Sequence, residues 1–462
     1  MPGVRGDASE GTRLLGPLLP VTHRPLVIGT ALDEEAHWQR SGLSALTGRP
    51  GAPAGPAPRG LVSRLVWLEE LLADHVSTPN ALPIGLPIGL LDLLGERAAI
   101  AGLRPGGSVS CGGGTRLLAC ADGWIALTLA RPDDVDLLPA WLADCDGSPD
   151  GVPRGDPSTT SDAVWEWVAA RVLRAPATAL VDRGALLGLP VSRLGETDPC
   201  TDAVHVTALP GLGSTPYVGH RPPSPLVVDL SSLWAGPLCA HLLQLSGAEV
   251  VKVESLARPD GARSGPAAFF DLLHAGQQSV GVDLATDEGI RRMEHLLWRA
   301  DVVIEGSRPR ALAALGVTPA SVAARGRLRA WVSVTAHGRT GADGDRVGFG
   351  DDCAVAGGLV VWQEGDPVFC GDAIADPLTG IVAAVATLCA LSKPVAAGPV
   401  LIDAALSRVA RVFGAPPYES PDGVAGPDRD AEVGGAASPV ARAPRSRAPA
   451  LGAHNGRWGV TC

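Results

Sequence analysis

The sequence lacks the cysteine patterns of a disulfide framework or a metal site. Nine cysteines are scattered over 462 residues, and no two of them form a Cys-x-x-Cys pair. No cluster of histidine and cysteine has metal-site spacing, so the sequence predicts no metal. Scattered thiols in odd number are typical of a protein whose cysteines stay reduced, which favours the cytoplasm over an oxidising compartment.

Basic charge is also scarce. The 38 lysines and arginines are outnumbered by 49 aspartates and glutamates, which gives a formal net charge of −11. A nucleic-acid-binding protein needs a basic face to meet phosphate, so we expect no nucleic-acid partner. A few local lysines and arginines can still hold a nucleotide on an acidic protein.

Long hydrophobic runs are missing as well. The longest strongly apolar stretch, Ile381 to Leu391, is too short to span a bilayer. Residues 1–20 lack the long apolar core of a signal peptide. We therefore expect a cytoplasmic protein with no membrane partner. Hydrophobic residues still make up 46% of the chain and charged residues 19%, which is a globular composition able to bury large cores.

The length predicts more than one domain, and the residue pattern changes along the chain. It predicts five regions: a partial large-domain segment (1–80), a small α+β domain (81–210), a linker (211–224), a large domain (225–412) and a loose tail rich in Pro, Arg and Ala (413–462). Within the small domain, residues 115–130 predict a hairpin turning at Ala121-Asp122-Gly123. Residues 162–175 have apolar residues at helical spacing.

The large-domain region is the most regular part of the chain. Its apolar runs predict strands at 225–232, 248–254 and 301–306, and another within 328–338. Helical patterns occupy the intervals between them, at 235–247 and 287–300. Strands that alternate with helices predict an α/β fold, with an open parallel Rossmann-like sheet and helices on both faces.

Asp376 stands before Pro377 and a long apolar helix. Asp at the N-cap with Pro at the next position is a common helix start, so helix capping is one interpretation. The helix dipole also stabilises a carboxylate at this place as the anion.

Four segments in order resemble the large domain of class III CoA-transferases of the CaiB/BaiF type. They are 227–254, with its Ala235-Gly236-Pro237 turn, then 279–309, 371–391 and 400–409. Other segments resemble the same family in altered order: 37–53 the part before the catalytic aspartate, 112–142 and 185–196 the small domain, and 448–455 the C-terminal motif. The resemblance therefore predicts a truncated extra N-terminal half-copy, which has no counterpart of the catalytic aspartate.

The resemblance implies that Asp376 attacks an acyl-CoA thioester and that coenzyme A passes to a carboxylic acid through an aspartyl anhydride and an aspartyl-CoA thioester. Coenzyme A is then a substrate, and no resident cofactor is expected. Asp372 is the internal competitor for the nucleophile. Family members form interlocked dimers, so we expect either a homodimer or an intrachain pseudo-dimer.

Candidate coenzyme A contacts follow the predicted strands. The Ala235-Gly236-Pro237 turn can admit a phosphate or adenine at a helix N-terminus, although a plain tight turn has the same pattern. Lys252 and Glu254 end the second strand, and an acid at this spacing also suits a dinucleotide site, but Gly-x-Gly-x-x-Gly is absent. Arg258, Arg263, Arg308 and Arg310 are candidate phosphate ligands at the carboxyl edge of the sheet.

Several positions depart from the family. Gly276-Gln277-Gln278 replaces a basic pair, and Gly306-Ser307 replaces an Asn-aromatic pair, which keeps a non-catalytic CoA-binding protein open as an alternative. Phe349 stands where related racemases carry a histidine base, so a racemase or isomerase is a weaker alternative. Gly112 to Gly114 resemble a covering glycine loop but also suit a flexible hairpin. His337 is a candidate cofactor contact or an ordinary loop histidine.

Overall fold

The computed structural model describes residues 13–19, 26–27, 29–76, 89–143, 153, 161–199, 201–210, 224–414 and 437–460. The predicted linker lies outside the described residues except for Ser224. The part of the predicted tail at 415–436 also lies outside them.

The N-terminal part of the described chain is built from short helices and short strands. In chain order these are α1 (Ala31–Arg40), α2 (Leu61–Val76), α3 (Glu96–Ala101), β1 (Thr115–Cys120), β2 (Gly123–Thr128), α4 (Pro132–Trp141), α5 (Asp162–Val172), α6 (Ala177–Leu187), β3 (Val191–Arg193) and β4 (Val204–Ala208).

The part that follows alternates strand and helix, as its sequence predicts. In chain order it contains β5 (Leu226–Asp229), α7 (Ala235–Leu245), β6 (Glu249–Ser255), α8 (Ala267–His274), β7 (Gln278–Val282), α9 (Asp287–Trp298), β8 (Val302–Glu305), α10 (Pro309–Ala314), α11 (Pro319–Ala323), β9 (Ala330–Thr335), α12 (Gly350–Ala356), β10 (Val360–Gln363), β11 (Asp366–Phe369), α13 (Ala375–Ser392), β12 (Val400–Ala405) and α14 (Leu406–Phe413).

Seven strands form one sheet in the order β4-β12-β9-β8-β5-β6-β7. Every neighbouring pair is parallel except β4 with β12. This confirms the predicted α/β fold with an open, mostly parallel sheet. The sequence did not predict the edge strand β4, which comes from the N-terminal part and joins the large sheet rather than the small one.

Both faces of the large sheet are covered, and the strand residues alternate between two cores. Val227 and Ile304 lie in one apolar cluster with α7 and α13. Their neighbours Val228 and Val303 lie in another cluster with α9. Successive side chains of a strand point to opposite faces, so a strand covered on both faces is apolar at every position.

The smaller sheet is antiparallel, in the order β1-β2-β3. Cys120 pairs with Gly123 at the end of the hairpin, which confirms the predicted turn. Residues of α4, α5 and α6 pack with this sheet around the buried side chains of Trp141 and Trp165. The predicted smaller α+β unit is therefore present.

Helix α13 is the central helix of the molecule. It is long and apolar enough to cross a membrane by length and composition, but 83% of it is buried inside the protein. Gly380 allows its close packing on α7, because a Cβ there would lie 2.6 Å from the carbonyl oxygen of Ala235. Burial of this kind is typical of the core helix of a folded domain.

The end of the chain packs against the body of the protein instead of lying loose. Residues 437–460 run over α3, α7 and β7. Arg442 forms an ion pair with buried Glu96 at 2.6 Å, and Asn455 exchanges hydrogen bonds with the backbone of Gly281. The hydrogen bonds of Asn455 satisfy backbone groups of β7 at the open edge of the large sheet.

Candidate active site

Asp376 lies in the first turn of α13, where the loop after β11 enters the core. The helix begins at Ala375, and its N-cap is Ile374, which makes no side-chain cap. Asp376 is therefore the second residue of the helix and not its N-cap. The preceding Ala373 has a positive φ of 43°, and its N–H donates to Asp351 Oδ1 at 2.9 Å, which fixes the loop ahead of Asp376.

Four aspartates gather around this helix start. Asp351 and Asp352 come from the first turn of α12, and Asp372 comes from the loop before α13. Gly350 lies directly beside Asp376: a Cβ there would be 2.5 Å from Asp376 Oδ2. A glycine is thus needed to let α12 approach the carboxylate so closely.

Three of the four carboxylates are held by hydrogen bonds. Asp352 Oδ1 accepts from the Phe349 N–H at 2.8 Å and from Thr128 Oγ1 at 2.9 Å. Asp351 accepts from Ala373 N and a side-chain hydrogen bond from Ser110.

Asp372 is fully buried, and Arg97 binds both of its oxygens. The half-buried Asp376 side chain makes no hydrogen bond to any described residue. It is therefore the one carboxylate of the four, called here the uncommitted carboxylate, whose oxygens accept no hydrogen bond from the described residues.

Arg97 brings the N-terminal part of the chain into this site. Its Nε donates to Asp372 Oδ2 at 2.8 Å, and its Nη2 donates to Oδ1. Its guanidinium also lies 5.3 Å from the ring centroid of Trp234. Gly112 is adjacent, because a Cβ on it would be 3.5 Å from Arg97 Nη2. The glycine segment 112–114 therefore lies at the edge of the carboxylate cluster.

The environment raises the pKa of Asp351, Asp352 and Asp376. Burial raises the pKa of Asp376 to about 7, opposed by the charge of Arg97 and reinforced by Asp351, Asp352 and Asp372. Burial and Asp372 likewise raise the pKa of Asp351 to about 6. The expectation that the helix dipole alone keeps Asp376 ionised is therefore too simple, since desolvation and like charge outweigh it.

The candidate coenzyme A contacts lie around the carboxyl ends of β5, β6 and β8, but several are already engaged. Lys252 is buried, and its Nζ lies 2.9 Å from Asp260 and 3.4 Å from Asp229. Arg263 binds Glu254 through two hydrogen bonds of 2.8 and 2.6 Å. These two cations stabilise the loop after β6 within the protein.

The Ala235-Gly236-Pro237 turn is buried and tightly packed. A Cβ on Gly236 would overlap Ser231 Oγ, so the glycine is required by the turn itself. Arg258 and Arg308 are exposed and have no side-chain partner among the described residues. They are the candidate phosphate ligands that remain available, whereas Arg310 forms an exposed ion pair with Asp345 at 3.2 Å.

The positions that depart from the family have internal roles. Gln277 Nε2 donates to the Leu273 carbonyl at 2.9 Å. Trp458 donates to Gln278 Oε1 at 2.7 Å. Phe349 precedes α12 and brings its backbone N–H to Asp352. His337 is buried, and burial together with the charge of Arg346 holds its pKa well below the usual value.

Sequence reasoning missed Arg97 and the two acids Asp351 and Asp352. The two consecutive acids after Gly350 were a usable signal in the sequence, because they directly follow Phe349, a position already compared with the family. Arg97 had no such signal. It lies 275 residues before its partner Asp372, and only the tertiary structure brings the two together.

Comparison with known proteins gives a family match for the strand–helix region. Residues 225–419 match the sequence model described as CoA-transferase family III. This region is therefore similar to that family. The extra N-terminal half-copy stays a prediction, since the matched residues lie in the other half of the chain.

Two curated CoA-transferases are similar to this chain at the same sequence identity. The chain is 31% identical over 188 residues to a succinyl-CoA–D-citramalate CoA-transferase of Chloroflexus aurantiacus, covering 38% of this chain and 47% of the relative. It is 31% identical over 190 residues to a succinate–glutarate CoA-transferase of Agrobacterium fabrum, covering 37% and 47%. The chain thus spans about half the length of the curated relatives that it matches.

A crystal structure of a CaiB/BaiF family protein from Brucella suis is also similar. It is 29% identical and covers 40% of this chain and 53% of that chain, with a TM-score of 0.38.

Proposed function

We propose that this protein transfers coenzyme A from an acyl-CoA to a carboxylic acid, with Asp376 as the nucleophile. The observation that carries this proposal is the uncommitted carboxylate. Asp351, Asp352 and Asp372 are bound by N–H and O–H donors or by Arg97. Asp376 is half-buried, and its oxygens accept no hydrogen bond from the residues that the structure describes. A carboxylate in this state can attack a carbonyl carbon.

The proposed reaction conserves the thioester. An Asp376 oxygen attacks the thioester carbon, the C–S bond breaks, and an aspartyl-acyl anhydride and the CoA thiolate form. The thiolate attacks the aspartyl carbonyl, which releases the donor acid and leaves an aspartyl-CoA thioester. The acceptor carboxylate attacks that thioester, and the thiolate then takes the acyl group from the new anhydride and frees Asp376.

Arg97 supports this chemistry through its charge. It is the cation whose field lowers the pKa of Asp376, against the burial and the three neighbouring acids that raise it. It therefore increases the ionised fraction of the nucleophile near neutral pH. Arg97 is a positioning residue in this proposal, since it touches Asp372 and not Asp376.

The substrates and setting are part of the same proposal. Coenzyme A thioesters and carboxylic acids are the substrates, without a resident cofactor, in the cytoplasm. Exposed Arg258 and Arg308 are the proposed phosphate contacts. Arg97 and β4 complete the site and the sheet from within the same chain, which supports the intrachain pseudo-dimer over the homodimer.

The test is intact-protein mass spectrometry after mixing with a panel of acyl-CoAs, with and without hydroxylamine. Wild type, Asp376→Ala and Asp372→Asn are compared. We expect a hydroxylamine-sensitive acyl or CoA adduct on wild type and Asp372→Asn that is absent from Asp376→Ala. An adduct that persists in Asp376→Ala would move the nucleophile elsewhere, and coenzyme A binding without any adduct would favour a non-catalytic binding protein.

A racemase or isomerase is the second candidate. The observation in its favour is that Asp351, with a pKa raised to about 6, lies in the same cluster as Asp376 with a pKa raised to about 7. Two carboxyls with such pKa values can in principle act as acid and base. Exchange of the acyl-CoA α-proton into deuterated water, without adduct formation, would favour this candidate over the transferase.

A further inference from the structure

Three donor atoms of different chemistry meet behind the carboxylate cluster. His337 follows β9, and Asp352 and Cys353 lie in the first turn of α12. One ring nitrogen of His337, one carboxylate oxygen of Asp352 and the Cys353 sulfur all lie within 4.8 Å of one another, and all three residues are buried. Nothing in the proposed transfer reaction uses His337 or Cys353.

His337 offers an unused nitrogen. The residue is only 6% exposed, and its Nε2 is buried without a hydrogen-bond partner among the described residues. Native proteins rarely leave a buried polar atom unpaired without a reason. An imidazole nitrogen is also among the commonest metal ligands.

Asp352 has its two oxygens in different environments. Its Oδ1 is held by the Phe349 N–H and by Thr128 Oγ1. Among the described residues, its Oδ2 accepts only a long hydrogen bond from the Cys353 thiol at 3.9 Å, and that bond is lost when a metal displaces the thiol proton. Hydrogen bonds that hold one oxygen and turn the other toward a site are what orients a ligating carboxylate in metal centres.

A glycine keeps the space in front of two of these donors open. A Cβ on Gly348 would lie 2.6 Å from the Cys353 sulfur and 2.8 Å from Asp352 Oδ2. Any other residue at 348 would place a methyl group against both donor atoms. The unpaired histidine nitrogen and the space at Gly348 are two independent observations on residues of this cluster.

We propose that His337, Asp352 and Cys353 form a binding site for a divalent cation, with Zn²⁺ as the best match. Zinc binds imidazole nitrogen, carboxylate oxygen and thiolate sulfur at about 2.0–2.3 Å. A thiolate ligand also disfavours Mg²⁺ and Ca²⁺.

The charges of such a site balance. On binding, the Cys353 S–H bond breaks, its proton goes to solvent, and the thiolate donates an electron pair to the metal. The thiolate and the Asp352 carboxylate then neutralise the two positive charges, with a neutral His337. A neutral complex of this kind tolerates burial much better than separate charges do. The inference does not depend on the proposed transferase activity.

The test uses the full chain, stripped of metal with a chelator and titrated with Co²⁺ as a spectroscopic probe of zinc sites. The variants are Cys353→Ser, His337→Gln and Gly348→Ala, which places a methyl group in the site. The matched control is Cys389→Ser, because Cys389 is also buried but lies near the far end of α13. Zinc affinity is then measured by competition with a chromophoric chelator.

We expect a thiolate-to-cobalt charge-transfer band in wild type and Cys389→Ser, absent from Cys353→Ser. Loss of a ligand or of its orientation should weaken zinc binding at least about tenfold in His337→Gln and Gly348→Ala. A wild type that binds neither ion overturns the proposal without reference to any variant. A band that survives in Cys353→Ser, or zinc affinity unchanged in both other variants, overturns it as well. If Cys353→Ser does not fold, the other two variants decide.

Discussion

Two carboxylates stand at helix starts in different parts of the molecule and have opposite surroundings. Glu34 reaches from α1 to the start of α2, where it accepts hydrogen bonds from the Gly60 N–H at 2.6 Å, from the Ser63 N–H at 3.1 Å and from Ser63 Oγ at 2.7 Å. Asp376 sits in the first turn of α13 and accepts none from the described residues.

The difference separates a structural acid from a chemically available one. Glu34 caps a helix, because it satisfies N–H groups that have no partner within the helix. Asp376 has a raised pKa, a neighbouring cation that counteracts the rise, and no donor bound to its oxygens. In both regions the sequence shows an acidic residue near a helix start. The hydrogen-bond partners of each carboxylate therefore decide whether it is structural or reactive.

The largest effect is expected from Asp376→Asn. Loss of the nucleophile should lower CoA-transfer turnover by about a thousandfold or more. The variant should be at least as stable as wild type near neutral pH, because no hydrogen bond is lost and a carboxylate that burial and like charge disfavour is removed. Transfer assays and urea unfolding measure the two quantities. A strongly destabilised variant would show instead that Asp376 is a structural acid like Glu34.

Gly350→Ala should have the next largest effect. The added methyl group would lie 2.5 Å from Asp376 Oδ2 and must push the carboxylate or α12 aside. A displacement of that size can lower turnover by about a hundredfold. The control is Gly456→Ala, where a Cβ meets nothing within 4 Å. Equal turnover in both variants would contradict the close approach of α12 to the nucleophile.

Glu34→Ala tests the other side of the comparison. Three hydrogen bonds are lost and helix N–H groups are left without a partner, so stability should fall by about 2 kcal/mol. Turnover below the unfolding transition should stay near the wild-type value. Glu70→Ala is the matched control, since Glu70 is exposed on α2. A turnover loss without a stability loss would assign Glu34 a role in chemistry.

The smallest effect is expected in the pH dependence of kcat/KM, measured on protein treated with a chelator to remove any bound metal. Ionised Asp376 is the reactive form, so kcat/KM should rise with pH through about 7, rather than near the usual value of 3.8. The double variant Arg97→Met/Asp372→Asn removes the cation that lowers the pKa of Asp376 and an acid that raises this pKa by a smaller amount. The pH at which kcat/KM rises should therefore increase by up to about one unit. An unchanged profile would remove Arg97 from the mechanism.

Local pattern was enough for much of the fold. The alternation of apolar runs and helical patterns at 225–306 predicted β5, α7, β6 and β8 because strands covered on both faces must be apolar throughout. The hairpin at Ala121-Asp122 followed from turn residues between two short strands. The similarity of 225–419 to CoA-transferase family III could also be predicted, since the resembling segments follow one another in order.

Contacts between segments that lie far apart in the chain could not be predicted from the sequence. The edge strand β4 is short and largely exposed, and it joins the large sheet through β12, which lies far along the chain. Residues 437–460 were expected to be loose because Pro and Ala carry little signal for packing. Their fixed place depends on Arg442 meeting Glu96 and on Asn455 meeting Gly281.

The sequence by itself determined that an aspartate precedes a long apolar helix in an α/β region. Only the tertiary structure decided which of the four carboxylates accepts no hydrogen bond from the described residues, namely Asp376. It also decided that Arg97 from the N-terminal part supplies the nearby cation, and that Lys252 is paired with buried acids. The physical reason is that helices and strands follow from residues close in the chain. The pKa and availability of a side chain depend on burial and on charges that folding brings from distant positions.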